Sequence, residues 1–188
     1  MQKKENKNIL FNIFFIISLS FSPLFSASKC NVDYSIIYLI AMNERSLQRP
    51  IGYPYLISLN KKFPREYNKV KHQFNFINNR TIDCKSEKEC ILTMEKLLQL
   101  GIKNMDLGAF QINYLSFKFK DFSNYFNFKK SFAKSCEIVY PFIKNKKNIT
   151  FQDIARYHSS TPKYNKIYAD NLEKNYKKLM NSIEKRSR

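Results

Sequence analysis

Three short stretches of the chain carry side chains whose types and spacing can do chemistry. They are "AMNERS" around Glu44, "DLGAFQIN" from Asp106 to Asn113, and "ARYHSSTP" around Tyr157 and His158. Glu44 follows a long apolar run and precedes a loop, the setting of a carboxyl at the end of a buried helix. Held partly out of water, such a group keeps its proton near neutral pH, because desolvation disfavours the ionised form. A protonated acid in a cleft is what glycosidic cleavage requires, since the leaving oxygen must receive a proton. The plainer alternative is an ordinary exposed glutamate near a helix C-terminus. In the second stretch, Asp106, Gly108, Gln111 and Asn113 can hydrogen-bond a polar ligand. They can equally form a turn in which Asp106 bonds backbone amides and Gly108 supplies a positive φ; the two readings are compatible. His158 is a general base, a metal ligand or a structural imidazole, and Tyr157 is core or orients Glu44 or a substrate.

The elements that must position these groups are legible from periodicity. Residues 34–43, "YSIIYLIAMN", form a nearly continuous apolar run with Ile36, Ile37, Ile40 and Ala41 at helical spacing, which predicts a buried helix. Pro50, Gly52 and Pro54 mark the following loop. "YLISLN" alternates, with Tyr55, Ile57 and Leu59 on one side, and predicts a strand. "HQFNFINNRTIDC" also alternates, and Asn78-Asn79 is a candidate hairpin turn between Phe74/Phe76 and Ile82. Ser86 and Glu89 form a capping-box pattern ahead of the stripe Cys90, Ile91, Met94, Leu97 and Leu98, and Gly101 stops that helix. Residues 114–132 interleave Phe, Tyr and Lys, read mainly as core and rim. A helix is expected around Ser131 to Ile143. Thr150 and Asp153 cap a short one, and a last one over about 167–184 aligns Tyr168, Leu172, Tyr176, Leu179 and Ile183. The expected class is α+β, mostly α, with helices around an antiparallel sheet of about three strands.

The N-terminal segment predicts export from the cytoplasm. "MQKKENKN" is a basic leader, an apolar stretch follows from Ile9 to Phe25, and Ser26, Ala27 and Ser28 are small. That order predicts a signal peptide over 1–28 and one domain over 29–188. Pro23 and the short apolar stretch argue against an uncleaved anchor, so no stable membrane span is expected after cleavage. The remaining residues, about 160, suffice for one sizeable core. Four cysteines in an exported chain read as two disulfides, with three pairings open. Cys84–Cys90, bracketing a turn, with Cys30–Cys136 is the favoured set. There is no CxxC, and His72 and His158 are the chain's two histidines, so a zinc site is less expected than the two disulfides. The net charge of +18 is spread along the chain. A solvated lysine-rich face accounts for most of it; beyond that, export makes nucleic acid a poor partner, and an acidic wall polymer such as peptidoglycan, whose stem peptides carry carboxylates, fits better.

The order of the three stretches resembles the lytic transglycosylases of the lysozyme-like superfamily, especially the small exported kind associated with type IV secretion and conjugation. The resemblance runs from about Tyr34 to Tyr176. In that family a helix delivers a catalytic Glu, here Glu44. A "DxGLMQIN"-like motif follows, here "DLGAFQIN", and later a "YN" or "YHS" motif, here "YHSSTP". Three departures stand out. Arg45 occupies the position of the family's usual Ser, Ala109-Phe110 stand where Leu-Met is common, and His158 replaces an Asn found in many members.

The resemblance implies a lysozyme-like fold and cleavage of the β-1,4 bond between N-acetylmuramic acid and N-acetylglucosamine, with a 1,6-anhydro product and no metal. Glu44 is then the acid and base. Gln111, Asn113, Tyr157, His158 and Phe110 are expected to bind substrate or line its cleft, and Asp106 and Gly108 to shape the loop. The expected partners are peptidoglycan strands, together with components of an envelope-spanning secretion or conjugation machine. The expected compartment is the periplasm or the exterior. Two alternatives stay open: a lysozyme-type hydrolase using Asp106 as second carboxylate, and a non-catalytic wall-binding or assembly protein on the same fold.

Overall fold

The computed structural model describes residues 30–186, so the signal-peptide expectation for 1–28 lies outside the described residues. Helix α1 spans Tyr34–Glu44 and is capped by Asp33, whose carboxylate accepts the Ser35 N–H. Ile36, Ile37, Leu39, Ile40 and Ala41 are all buried, so apolar residues face inward around most of its circumference, as a central helix requires. The other helices are α2 (Glu87–Gln99), α3 (Ser123–Phe126), α4 (Phe128–Ile143), α5 (Phe151–Ala155) and α6 (Pro162–Arg186). Helix α1 packs against α4 and α6, and α5 sits between the same two partners. The molecule is α+β and mostly α.

Local chemistry sets the helix ends. The Ser86 hydroxyl accepts the Glu89 N–H at the start of α2, and Gly101, at φ +74°, follows its end. Both halves of a capping box join Thr150 and Asp153 at the start of α5.

Among the described residues the sheet has four strands, one more than expected: β1 (Leu56–Leu59), β2 (Thr81–Asp83), β3 (Met105–Leu107) and β4 (Ile112–Asn113), antiparallel throughout in the order β2-β1-β3-β4. Strands β3 and β4 come from "MDLGAFQIN", so this stretch is a hairpin and not only a loop. The expected strand at Phe74–Phe76 is instead a single bridge from Phe76 to Ile82. There Phe76 N–H turns back to the Phe74 carbonyl, and both rings pack on Phe63 in a cluster that favours ring contact over extension. The 3₁₀ segment Arg65–Gln73 ahead of it has no buried residue and no apolar period that would have announced it.

Register turns the sheet into a two-faced element. Ile82, Ile57, Leu107 and Ile112 line up across all four strands and are buried. One residue along, Thr81, Ser58, Asp106 and Asn113 form a polar row, which the two-residue period of a strand must direct to the opposite face. The apolar row closes the core, and the polar row faces outward towards the end of α1.

Both disulfides have the favoured pairing, Cys30–Cys136 and Cys84–Cys90. Bonds of this kind persist in oxidising compartments, as an exported protein would require. No helix among the described residues is long and apolar enough to cross a membrane. Cys30–Cys136 ties the chain just ahead of α1 to α4 across 106 residues of sequence, against 6 for the other bridge. On the chain-entropy model these closures stabilise by about 4.7 and about 2 kcal/mol respectively. Urea titration is therefore expected to show Cys30→Ser with Cys136→Ser losing more stability than Cys84→Ser with Cys90→Ser. The reverse order would mean that the long bridge does not constrain the unfolded chain.

Candidate functional site

Glu44 is the last residue of α1. Arg45 then leaves in extended conformation, at φ −66° and ψ 144°, so the chain turns away and the Glu44 carboxyl remains at the helix end. The Tyr168 hydroxyl, from α6, donates to Glu44 Oε1 at 2.5 Å. Burial dominates the electrostatics of this carboxyl and, with the nearby charge of Asp106, outweighs the Tyr168 bond. Its pKa is raised from 4.5 to about 8. At neutral pH Glu44 is therefore mostly protonated.

The loop after Glu44 is tied down by a second buried carboxylate. Asp83 accepts from Arg49 through Nε at 2.7 Å and through Nη2, from the Tyr53 hydroxyl at 2.9 Å, and from the Lys85 N–H at 3.0 Å. Burial alone would raise its pKa, but these donors hold it below the ordinary carboxylate value. This cluster ties Arg49 and Tyr53 to the end of β2, directly after the residues Arg45 to Gln48 that line the space beside Glu44.

Two cavities meet at Glu44. One, of about 270 Å³, lies between the end of α1 and α6 and is lined by Asn43, His158, Tyr164, Ile167, Tyr168 and Asn171. The other, of about 370 Å³, lies on the sheet side. Arg45, Ser46, Leu47 and Gln48 line it, together with Leu56, Ser58, Asn78 and Thr81 from the sheet and its turn. The polar row of the sheet thus supplies part of its wall.

The remaining residues singled out from sequence fall into three groups. His158 does reach the site: its ring stacks on Tyr168 with centroids 4.8 Å apart and planes 6° from parallel. Desolvation holds its pKa below the ordinary value, with Asp106 acting in the opposite direction, so it is neutral at pH 7. Asp106 is near enough for its charge to act on both Glu44 and His158. Its own pKa is raised by burial, against the pull of the Asn113 and Asn60 side chains. Asp106 therefore bonds the Asn113 side-chain amide, in place of the backbone amides expected of it, and its charge reaches Glu44.

Gln111 and Asn113 are committed to the hairpin. Gln111, at φ +48°, donates its side-chain amide to the Gly108 carbonyl at 2.8 Å. Asn113 donates to Asp106 at 2.8 Å and to Asn104 at 3.0 Å, while its oxygen accepts the N–H groups of Leu115 and Ser116. Tyr157 is buried, and its hydroxyl donates to the Phe110 carbonyl at 2.7 Å and lies 3.3 Å from Ser135 Oγ. It braces the hairpin against α4, and the phenol that holds Glu44 is Tyr168. Phe110 is 1% exposed, packed on Phe128 and Phe132, and has no surface to offer a ligand. Its expected place in the cleft wall is corrected to the core, because the turn at Gly108 directs it inward.

Tyr168 escaped a sequence reading that assigned it to the packing stripe of the last helix. Its one available signal was a phenol in an apolar stripe, which needs a hydrogen-bond partner once buried. Because the Tyr168 bond favours the ionised carboxyl, Tyr168→Phe is expected to raise the Glu44 pKa further. Carbon-detected NMR titration should show an upward move of about one unit, the worth of a hydrogen bond to a charged group. No move, or a fall, would remove Tyr168 from control of Glu44.

Among the described residues no group of three or more His, Cys, Asp or Glu side chains stands together as a metal site. What the arrangement offers is a proton held at neutral pH where two cavities join. Compared with protein-family models, curated proteins and solved structures, the chain matches none.

Proposed function

We propose that the protein is a peptidoglycan lytic transglycosylase with a lysozyme-like fold. On this reading it acts in the periplasm or outside the cell, where it opens the wall locally for a secretion or conjugation apparatus. The observation that carries the reading is the Glu44 carboxyl, raised to about 8 where two cavities meet. A glycan strand crossing from one cavity to the other brings a glycosidic oxygen to that proton. Glu44 protonates the oxygen between N-acetylmuramic acid and N-acetylglucosamine as the bond to the anomeric carbon breaks. The resulting carboxylate then takes the proton of the muramyl 6-hydroxyl, whose oxygen attacks the same carbon. The product is a 1,6-anhydro sugar, Glu44 ends protonated, and no water is consumed. Tyr168 holds the carboxyl through both steps and stabilises its charged intermediate state.

One observation favours a second reading. Asp106 is close enough to act on Glu44 electrostatically, so a hydrolase with two carboxylates has a candidate pair. The Asn113 amide already engages Asp106 at 2.8 Å, which favours a supporting role. Mass spectrometry of digested peptidoglycan separates the two. Anhydro-muramyl ends are the expected product, and free reducing ends would replace the transglycosylase with a hydrolase. Equal inactivity of wild type and Glu44→Gln, with both binding the wall, would leave a non-catalytic binding protein.

A further inference from the structure

The larger cavity beside Glu44 has a charge pattern that bond cleavage does not require. Arg45 lines it and is exposed, and it forms no ion pair among the described residues. Arg49, four residues on, is by contrast neutralised by Asp83. The other polar groups on the wall are hydroxyls and amides: Ser46, Gln48, Ser58, Asn78 and Thr81. Glu44 supplies the cavity's one carboxyl, and at neutral pH that group is mostly uncharged. The space therefore combines one unspent guanidinium with donors and acceptors suited to a sugar.

We propose that this cavity is a subsite for a sugar bearing a free carboxylate, gripped by Arg45 directly beside the bond that Glu44 cleaves. The proposal rests on the reading of Glu44 as a glycosidic acid. A guanidinium presents parallel N–H donors in a planar fork that matches a carboxylate, which a hydroxyl at this position cannot do. Adjacency in sequence limits where that carboxylate lies. The Cα atoms of Glu44 and Arg45 are about 3.8 Å apart across a trans peptide, so both side chains act within one or two sugar rings of each other. The recognised group is then a substituent of a ring at or next to the scissile bond, not the far end of a long peptide. On a muramyl ring that substituent is the lactyl group. Its carboxylate is free when no stem peptide is amide-linked to it. The class of reaction that supplies this substrate is hydrolysis of that amide, in which water adds across the C–N bond to leave the lactyl carboxylate and the peptide amine. The protein thus acts after peptide removal, on stripped glycan.

Calorimetric titration tests this with Glu44→Gln as the non-cleaving background. The probes are a tetrasaccharide of alternating N-acetylglucosamine and N-acetylmuramic acid with free lactyl carboxylates, and the same tetrasaccharide with the carboxylates converted to primary amides. The free acid is expected to bind about tenfold more tightly than the amide, as a charge-assisted hydrogen-bonded pair allows, with the advantage shrinking as salt is added. Adding Arg45→Gln should bring the two affinities within about twofold of each other, and Arg45→Lys should restore part of the preference. Equal binding of both probes with Arg45 intact, or a preference that survives Arg45→Gln, overturns the subsite and leaves the transglycosylase reading standing. Failure of both probes to bind overturns both.

Discussion

Replacing Glu44 with Gln is expected to lower the rate of glycan cleavage by about 10²–10⁴-fold, the usual contribution of a positioned general acid. The amide fills the same space and still accepts from the Tyr168 hydroxyl, so the fold and the two cavities survive while the transferable proton is lost. Wild-type activity should be flat through neutral pH and fall as pH rises through about 8, where Glu44 ionises. A variant retaining most of the rate would exclude Glu44 as the acid, whatever the fold.

The same substitution has a second, independent readout in stability. The Glu44 carboxyl titrates at about 4.5 in an unfolded chain and at about 8 in the folded one. Between those values the folded state holds a proton that the unfolded state has lost. The protonation term favours folding fully below pH 4.5, weakens as pH rises through this window, and is gone above about 8. Glu44→Gln removes that slope. Unfolding free energies measured against pH should therefore diverge above about 4.5, with the variant increasingly the more stable. Reduced activity and gained stability together identify a group kept desolvated at the expense of the fold.

How much of this could be read in advance depended on how local each cause was. The caps at Ser86 and Thr150, the stop at Gly101 and the buried run of α1 need only neighbours within a few residues, and all were legible. Glu44 was legible for the same reason, as an acid placed by an apolar helix end. Its partner was not: Tyr168 is 124 residues away, and nothing near it in sequence announces a carboxylate. Nor was the polar row Thr81, Ser58, Asp106 and Asn113, which exists only once three strand pairings set one register. The turn at Gly108 was readable, but strands of three and two residues on either side of it are too short for alternation to stand out. Phe110 misled because a motif fixes residue types and not which way each side chain turns. Gln111 and Asn113 were ambiguous in another way, since their amides suit a sugar and a hairpin equally well, and the structure shows them bonded within the hairpin.

Gly108→Ala is expected to be the most destabilising single change outside the apolar core, at about 3 kcal/mol or more. Two costs add. The residue sits at φ +76°, where an L side chain is strained by roughly 1–2 kcal/mol. An added Cβ would also lie 2.0 Å from the Tyr125 carbonyl oxygen and 3.1 Å from its carbon. That obstacle is backbone, and α3 has no freedom to retreat. The Tyr125 ring is fully buried, and its hydroxyl donates to the Phe117 carbonyl at 2.8 Å while accepting the Phe119 N–H at 3.1 Å. Gly101→Ala isolates the second cost, because Gly101 has nearly the same φ of +74° and nothing within 4 Å of the place its methyl would take. It should lose only the strain. Urea midpoints for the two variants, compared at equal m-value, should differ by about 1–3 kcal/mol in unfolding free energy. Equal losses would mean that α3 does not press on the hairpin. That contact matters beyond stability, because the β3–β4 hairpin carries Asp106 and receives the Tyr157 brace. If it shifts, the charge acting on Glu44 shifts with it.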